Sequence, residues 1–422
     1  MRCRIITLPL PFFFRRTVPA LSLSFSLMFT LFLLSSPVSA QPAKGANKFL
    51  GNITQRGLIP SNFLTYWNHI AGENECKWMS VEGSRDKMNW AGADKIAAFA
   101  REHDIPWMFY SLLTSGSYPS WVGNISDSAR LEEIGEWMDS AAARYPDATM
   151  IDVINEGHPN HTFPAKFRSA LGGNGATGFD WVINAFRMAR ERWPNAILFF
   201  NDYNNLEFES EITWTLDMIT ACKNAGAPID AIGCEATYAW KMPTDTIKKN
   251  IDRIAAAGLP VYISNYEIEE PDDARQDSIM REQFTMFWNH PKIIGITYWG
   301  YVADQTWRSN MELVSDNGAE RPALTWLAEY VKNNPDPPND FPDLLNIGTG
   351  VVIDRDATPR SIFMNPELSS DRTVPRLFDL CGRVMGSHRF SVDAHSGAAS
   401  MRAPGTYILQ RNNSCRSLVN RR

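Results

Sequence analysis

Cysteine and histidine are scarce in this chain, which has six Cys and seven His among 422 residues. Cys3 lies in the N-terminal leader described below, and the other cysteines show no C-x-x-C spacing: Cys76, Cys222, Cys234, Cys381 and Cys415. That spacing is what a structural zinc site would need, so we expect no metal. An odd number of cysteines after the leader leaves open whether a disulfide forms.

Basic residues are fewer than acidic ones. The chain has 41 Lys and Arg, four of them in the leader, against 47 Asp and Glu. An acidic surface repels phosphate groups, which argues against nucleic acid and anionic membranes as partners. A neutral polymer would not be repelled.

Only one long apolar run occurs, from Ala20 to Leu34. It follows a basic segment with Arg2, Arg4, Arg15 and Arg16, and small residues lead from it to Ala40. This order is typical of a secretory signal peptide over residues 1–40, with a retained membrane anchor as the alternative. The run is short for a bilayer span of ~20 residues. We therefore expect bacterial-type export, a secreted or cell-surface protein, and no membrane span after leader removal.

No G-x-G-x-x-G motif follows the first apolar strand, which argues against a dinucleotide-binding sheet. Instead, short apolar runs alternate with amphipathic segments across residues 41–334. The predicted strands are Trp107–Leu113, Met150–Asn155, Ile197–Asn201, Ile229–Cys234, Pro260–Ser264 and Ile293–Trp299. The predicted helices are Asp94–Glu102, Leu131–Arg144, Trp181–Arg192, Ile212–Asn224, Thr246–Ala257 and Pro322–Lys332. Repeated units of this kind predict an α/β fold, a (β/α)₈ TIM barrel.

Carboxylates and amides follow several of these strands. Glu156 comes directly after the apolar strand Ile151–Asn155, with Asn155 beside it. In a (β/α)₈ barrel the chemistry lies at these strand ends. Cleavage of a glycosidic bond needs one carboxyl to protonate the leaving oxygen and a second to attack or to activate water. Glu156 is our candidate for the acid, and a solvated loop Glu is the alternative.

Several motifs resemble glycoside hydrolase family 10, the retaining endo-β-1,4-xylanases. Glu73-Asn-Glu-Cys-Lys-Trp resembles the family's E-N-x-x-K-W signature, and Asp152-Val-Ile-Asn-Glu resembles its acid/base strand. Phe200-Asn-Asp-Tyr-Asn and Gly295-Ile-Thr-Tyr-Trp-Gly, followed by Thr306-Trp-Arg, are similar to its later strands. The motifs occur in the family's order from about Asn47 to Asn334.

The resemblance implies a role for each matching residue. Glu73, Asn74 and Lys77 would bind sugar hydroxyls on the non-reducing side of the scissile bond, and the Asn155 amide could contact the sugar. The remaining matches are the acid/base Glu156 and the enclosing Trp299 and Trp307. The implied partner is β-1,4-xylan or a related cell-wall polysaccharide. Acid/base glycoside hydrolysis needs no cofactor, and we expect none and a monomer.

The sequence departs from the family at its most important position. In Val261-Tyr-Ile-Ser-Asn-Tyr-Glu, Asn265 stands where the family has its nucleophilic Glu. Tyr110, Thr114 and Thr237 also replace a His, a Trp and a His of the family pattern. An amide is a very poor nucleophile, and loss of a central catalytic group commonly costs ~10³-fold or more.

Two other acids, Glu235 and Glu267, also follow barrel strands. Either could serve as a surrogate second carboxylate in an inverting mechanism, or both could be structural hydrogen-bonding groups. Three functions thus stay open: a retaining endo-1,4-β-xylanase, a catalytically silenced xylan-binding protein, and a metal-dependent barrel hydrolase. The last is disfavoured by the lack of clustered His and Asp ligand spacing.

Composition changes after the barrel. Residues 335–345 are rich in Pro and Asp and predict a stiff linker. Residues 346–422 predict a small β tail domain. Within it, Arg376-Leu-Phe-Asp-Leu-Cys-Gly-Arg and Gly405-Thr-Tyr-Ile-Leu resemble the D-x-x-G-R and G-x-Y-x-L motifs of C-terminal sorting domains in secreted bacterial proteins. A carbohydrate-binding or inert β module is the alternative.

Overall fold

The structure is a computed structural model that describes residues 41–345 and six strands between Arg376 and Asn420. Residues 1–40, with the predicted signal peptide, lie outside this description. Residues 41–345 contain nine strands of one parallel sheet, β1 to β9. In order they are Phe49–Ile53, His69–Ala71, Trp107–Phe109, Leu113–Thr114, Met150–Asn155, Ile197–Tyr203, Ala231–Glu235, Val261–Tyr266 and Ile293–Tyr298.

The sheet closes on itself because β1 pairs in parallel with both β2 and β9. Strands β3 and β4 both pair with β5 and together occupy one strand position of the barrel. The barrel therefore has eight strand positions, and the predicted (β/α)₈ fold is confirmed. The run predicted as one strand over Trp107–Leu113 is interrupted at residues 110–112. The short strands β1 and β2 were not predicted from periodicity, since Asn52 and His69 interrupt their apolar pattern.

Helices cover the outside of the barrel. In chain order α1 to α11 are Phe63–Tyr66, Trp78–Val81, Ala91–His103, Asp127–Arg144, Ala165–Ala170, Asp180–Arg192, Glu209–Asn224, Thr244–Ala255, Asp273–Asn289, Pro322–Asn333 and Pro342–Leu345. Helix α8 buries Ile247, Ile251 and Ile254, whose spacing places them on one face. Asp272 directly precedes helix α9, and its carboxylate caps the helix by accepting the Arg275 N–H at 2.8 Å.

Many of the tryptophans belong to the core. Trp78, Trp90 and Trp137 stack between helices, with ring centroids 5.5–5.7 Å apart along the series. Other fully buried tryptophans are Trp67, Trp181, Trp193 and Trp288. Packing in the core therefore explains much of the abundance of Trp. Few indoles are left as candidates for contact with a sugar, and these lie near the strand ends.

Residues 335–345, predicted as a linker, contact the barrel at the amino-terminal ends of its strands. The Asp340 N–H donates to the Pro291 carbonyl at 2.8 Å, and its carboxylate lies 2.6 Å from Lys292 Nζ. Phe341 and Leu344 pack against the residues that fill the barrel. This segment therefore covers the end of the barrel opposite the strand ends that carry the polar residues.

The described strands beyond residue 345 pair in two antiparallel sheets. Gly405–Arg411 pairs with both Arg376–Asp379 and Ser414–Asn420, and Phe390–Val392 pairs with Ala399–Met401. Most of the predicted β tail domain lies outside the described residues. In the described part of the chain, no helix combines the length and apolarity that a bilayer crossing requires.

Candidate active site

A buried amide organises the carboxyl-terminal ends of the strands. Asn201, on β6, donates through Nδ2 to Asn155 Oδ1 and to Glu235 Oε1, each at 2.8 Å. Its Oδ1 accepts the Ser264 hydroxyl at 2.5 Å. Gly233 makes room for it, since a Cβ there would lie 2.1 Å from Asn201 Oδ1. Four neighbouring strands are thus tied together through one side chain.

The side chain of Glu156, which directly follows β5, takes no part in this network. Its backbone N–H donates to the Asn201 carbonyl at 2.8 Å, and its φ of 56° lies in the left-handed region. The Ser115 hydroxyl donates to its Oε2. The side chain is only partly buried, so the carboxylate is oriented by the protein and still reachable from solvent.

Lys77 projects its charge towards the carboxylates. Its Nζ donates to Asn74 Oδ1 at 3.0 Å and lies 4.8 Å from the centre of the Tyr110 ring. Burial lowers the pKa of Lys77, and the charges of Glu156 and Glu235 oppose that shift. Glu73 lies beside this pair and accepts the Arg56 N–H at 3.2 Å. The structure thus brings the predicted residues Glu73, Asn74 and Lys77 together just after the carboxyl-terminal end of β2.

Asn265, at the end of β8, is buried and faces Tyr110. Its Oδ1 has no hydrogen-bond partner among the described residues, while its amide is within hydrogen-bonding reach of the Tyr110 hydroxyl. Burial raises the pKa of Tyr110 well above its usual value, and the charges of Glu235 and Glu156 add to the shift. Tyr110 also packs edge-on against Trp299, with ring centroids 5.1 Å apart. The amide at the position predicted for a nucleophile therefore faces a phenol hydroxyl that keeps its proton.

The two further acids occupy different environments. Burial raises the pKa of Glu235 well above its usual value, and the Glu156 carboxylate raises it further, which favours the neutral form. Glu267 accepts the Trp307 indole N–H at 2.7 Å and lies 3.3 Å from Arg308 Nη1. Burial raises the pKa of Glu267 to about 7. Both carboxyl groups thus accept hydrogen bonds from other side chains of the protein.

The two candidate tryptophans differ in accessibility. Trp299 is 6% exposed, whereas Trp307 is 49% exposed with the Arg308 guanidinium 3.9 Å from its ring centre. Of the other departures from the family pattern, Thr114 lies 3.4 Å from Asn155 Nδ2 and Thr237 is buried. Trp307 is therefore the indole that a ligand in the groove can reach.

A sequence profile described as "Glycosyl hydrolase family 10" matches residues 41–330, which covers the whole barrel. The chain belongs to glycosyl hydrolase family 10.

Within family 10, the chain is 42% identical over 289 residues to endo-1,4-beta-xylanase B of Cellvibrio japonicus. That match covers 68% of this chain and 46% of the relative, so the chain spans about half the length of that protein. Endo-1,4-beta-xylanase A of Caldicellulosiruptor saccharolyticus is 26% identical, over 60% of this chain and 81% of the relative. The crystal structure of xylanase 10B from Thermotoga maritima superposes with a TM-score of 0.61 at 21% identity, covering 69% of this chain and 97% of that one.

The motifs did not indicate the contacts that several residues of this family 10 site make. Ser115 and Asn201 act through side-chain contacts to residues 41 and 34 to 63 positions away. Arg308 and Tyr238 meet through a hydrogen bond of 3.0 Å between two loops. Asn201 and Arg308 lie within recognised motifs, and Ser115 and Tyr238 lie outside the motifs quoted above. In neither case does the sequence indicate which partner the side chain contacts.

Proposed function

We propose that this barrel binds β-1,4-xylan in the groove at its strand ends and hydrolyses it weakly or not at all. The protein would be a family 10 xylanase by descent in which Glu156 keeps the place of the acid/base and Asn265 occupies the place of the nucleophile. We further propose that it acts after export, as the leader predicts.

Asn265 is the observation that carries this proposal. In a retaining mechanism an ionised carboxylate attacks the anomeric carbon and carries the glycosyl group as an ester. The Asn265 amide is neutral, so it provides neither that nucleophile nor charge to stabilise an oxocarbenium-like transition state. Glu156 can still protonate the leaving oxygen, but the bond then breaks without a partner on the opposite face of the sugar.

The neighbouring acids do not replace it readily. A nucleophile or general base has to be ionised, and the environment of Glu235 favours its neutral form. Glu267 is engaged by Trp307 and Arg308. Retained binding is supported by Lys77, Asn74 and Glu73, which offer donors and acceptors for hydroxyl groups, and by the exposed Trp307.

An inverting hydrolase is the second candidate, and the Glu156–Glu235 pair favours it. Inversion needs one carboxyl group as the acid and a second as the base that activates water. Here the neutral Glu235 would donate the proton and Glu156 would activate water. The position of Glu235 opposes this mechanism, because its carboxyl group is buried and already accepts a hydrogen bond from Asn201.

The test compares the full chain with Asn265→Glu and with the uncharged control Asn265→Gln, on an aryl β-xylobioside and on xylan. We expect a gain of ~10³-fold or more for Asn265→Glu, none for Asn265→Gln, and binding of xylo-oligosaccharides by the wild type in calorimetry. High turnover by the wild type, lost in Glu235→Gln, would establish the inverting alternative. Absence of oligosaccharide binding would reject the xylan groove itself.

A further inference from the structure

Three side chains outside the groove converge in a buried cluster. His158 and His161 lie in the loop after β5, and Glu211 lies in the first turn of α7. All three are buried, and one potential ligand atom from each lies within 4.8 Å of the others. The sequence shows only the two histidines at a spacing of three. Glu211 follows 50 residues later, so the expectation of no clustered ligands does not hold for the described residues.

His161 is oriented by a carboxylate. Its Nδ1 lies 2.6 Å from Asp202 Oδ1, which makes Nδ1 the protonated nitrogen and leaves a lone pair on Nε2. This Nε2 is buried and has no hydrogen-bond partner among the described residues. A carboxylate that fixes one imidazole nitrogen while the other is free is the arrangement found around metal-binding histidines.

His158 and Glu211 form a second close contact. Nδ1 of His158 lies 2.5 Å from Oε2 of Glu211 and 3.1 Å from the Asn160 N–H. When Nδ1 carries the proton, it donates to Oε2; when Nδ1 accepts from Asn160, no proton lies between Nδ1 and Oε2. A divalent cation would take the place of that shared proton.

The surroundings are those of a closed site. Tyr203 stacks on His161 with ring centroids 3.6 Å apart, and Trp214 packs edge-on against His158 at 5.0 Å. Arg168 donates to the His158 carbonyl at 3.4 Å and brings one positive charge, against the two carboxylates of Asp202 and Glu211. An ordinary histidine–carboxylate pair is that of buried His290 and half-exposed Asp252, whose Nε2 and Oδ1 are 2.9 Å apart. Neither residue belongs to a cluster of three potential ligands in the described part of the chain.

We propose that His158, His161 and Glu211 bind one divalent transition metal ion, with Zn²⁺ the best match to two imidazoles and one carboxylate. Asp202 is a positioning residue for His161. The ion joins the loop that begins two residues after Glu156 to helix α7, and its role is structural. This site does not depend on xylan binding or on hydrolysis.

The test measures metal binding by the full chain after chelator treatment. Zn²⁺ is titrated in competition with a chromophoric chelator, and Co²⁺ is titrated for its visible absorption. We expect one tight Zn²⁺ site in the wild type and a loss of more than ~100-fold in affinity for Glu211→Gln and His161→Gln. Asp202→Asn should lose ~10- to 100-fold, since it removes only the positioning carboxylate.

The matched control is His290→Gln, which removes a buried, carboxylate-paired histidine elsewhere and should leave Zn²⁺ affinity unchanged. Circular dichroism in chelator verifies that each variant folds. Zn²⁺ should raise the thermal midpoint of the wild type and of His290→Gln, and not that of Glu211→Gln. The proposal is overturned if the wild type binds Zn²⁺ no more tightly than Glu211→Gln, including the case in which all variants bind it equally through other residues.

Discussion

The indole N–H of Trp307 donates to the buried carboxylate of Glu267 at 2.7 Å, and Arg308 lies against both side chains. This contact joins the loop after β9 to the segment that directly follows β8. An exposed ring is thereby held on a buried acid, so it can meet a sugar face without first losing rotational freedom.

Trp307→Ala should weaken binding of xylo-oligosaccharides by about tenfold. Aromatic packing contributes ~0.5–1.5 kcal/mol beyond the area that it buries, and the substitution also removes the anchor of the loop. Calorimetric titration with xylohexaose measures this loss. Trp326→Ala, in α10 on the outside of the barrel, is the matched control and should bind as the wild type does. Equal affinities for Trp307→Ala and wild type would place the ligand elsewhere.

Glu267→Gln should flatten the dependence of stability on pH between about 4.5 and 7. Burial raises the pKa of Glu267 to about 7 in the folded protein. The folded state therefore holds its proton more tightly than the unfolded chain, and this contribution is complete below pH 4.5 and lost as pH rises through 7. The slope is at most about 1.4 kcal/mol per pH unit. Urea unfolding of both proteins at several pH values measures it, and parallel curves would contradict the assignment.

Asn201→Ala should destabilise the barrel by about 3 kcal/mol. The change leaves three buried partners, on Asn155, Glu235 and Ser264, without a hydrogen bond, and each such loss costs ~1–3 kcal/mol before relaxation. Chemical unfolding measures the difference. Asn224→Ala, at an exposed position near the end of α7, serves as the control and should change stability by less than ~0.5 kcal/mol. An equally small effect at Asn201 would mean that the network is not stabilising.

Lys48 gives a pH dependence of the opposite sign. Its Nζ donates to the carbonyls of Trp288 and His290 at 2.8 and 2.7 Å, and burial lowers its pKa to about 7. Between pH 7 and 10.5 the unfolded chain binds the proton and the folded one does not, so stability due to Lys48 rises with pH in that window. The free energy of unfolding of Lys48→Met, followed across this range, should lack that rise. A rise of the same size in the variant would assign it to other groups.

The sequence predicted the barrel because its longer strands are continuous apolar runs and its helices have a regular apolar face. Glu156, Asn265 and Glu267 were predicted at the same end of the barrel because each follows a strand. Their chemical states were not predictable. The neutral form favoured for Glu235 depends on burial and on Glu156, and both arise only when strands 79 residues apart in sequence come together. The His158, His161 and Glu211 cluster was missed for the same reason.

Glu156, the proposed acid, has an unfavourable backbone conformation. A left-handed φ costs a residue with a Cβ roughly 1–2 kcal/mol, and glycine avoids this cost. Selection for stability alone would therefore favour Gly or Asn at this position. The glutamate at this position therefore lowers the free energy of unfolding, in exchange for the carboxyl group that the proposed acid role needs. In a protein that only binds xylan, this acid is dispensable. Its replacement by Gly would then raise the free energy of unfolding of the barrel.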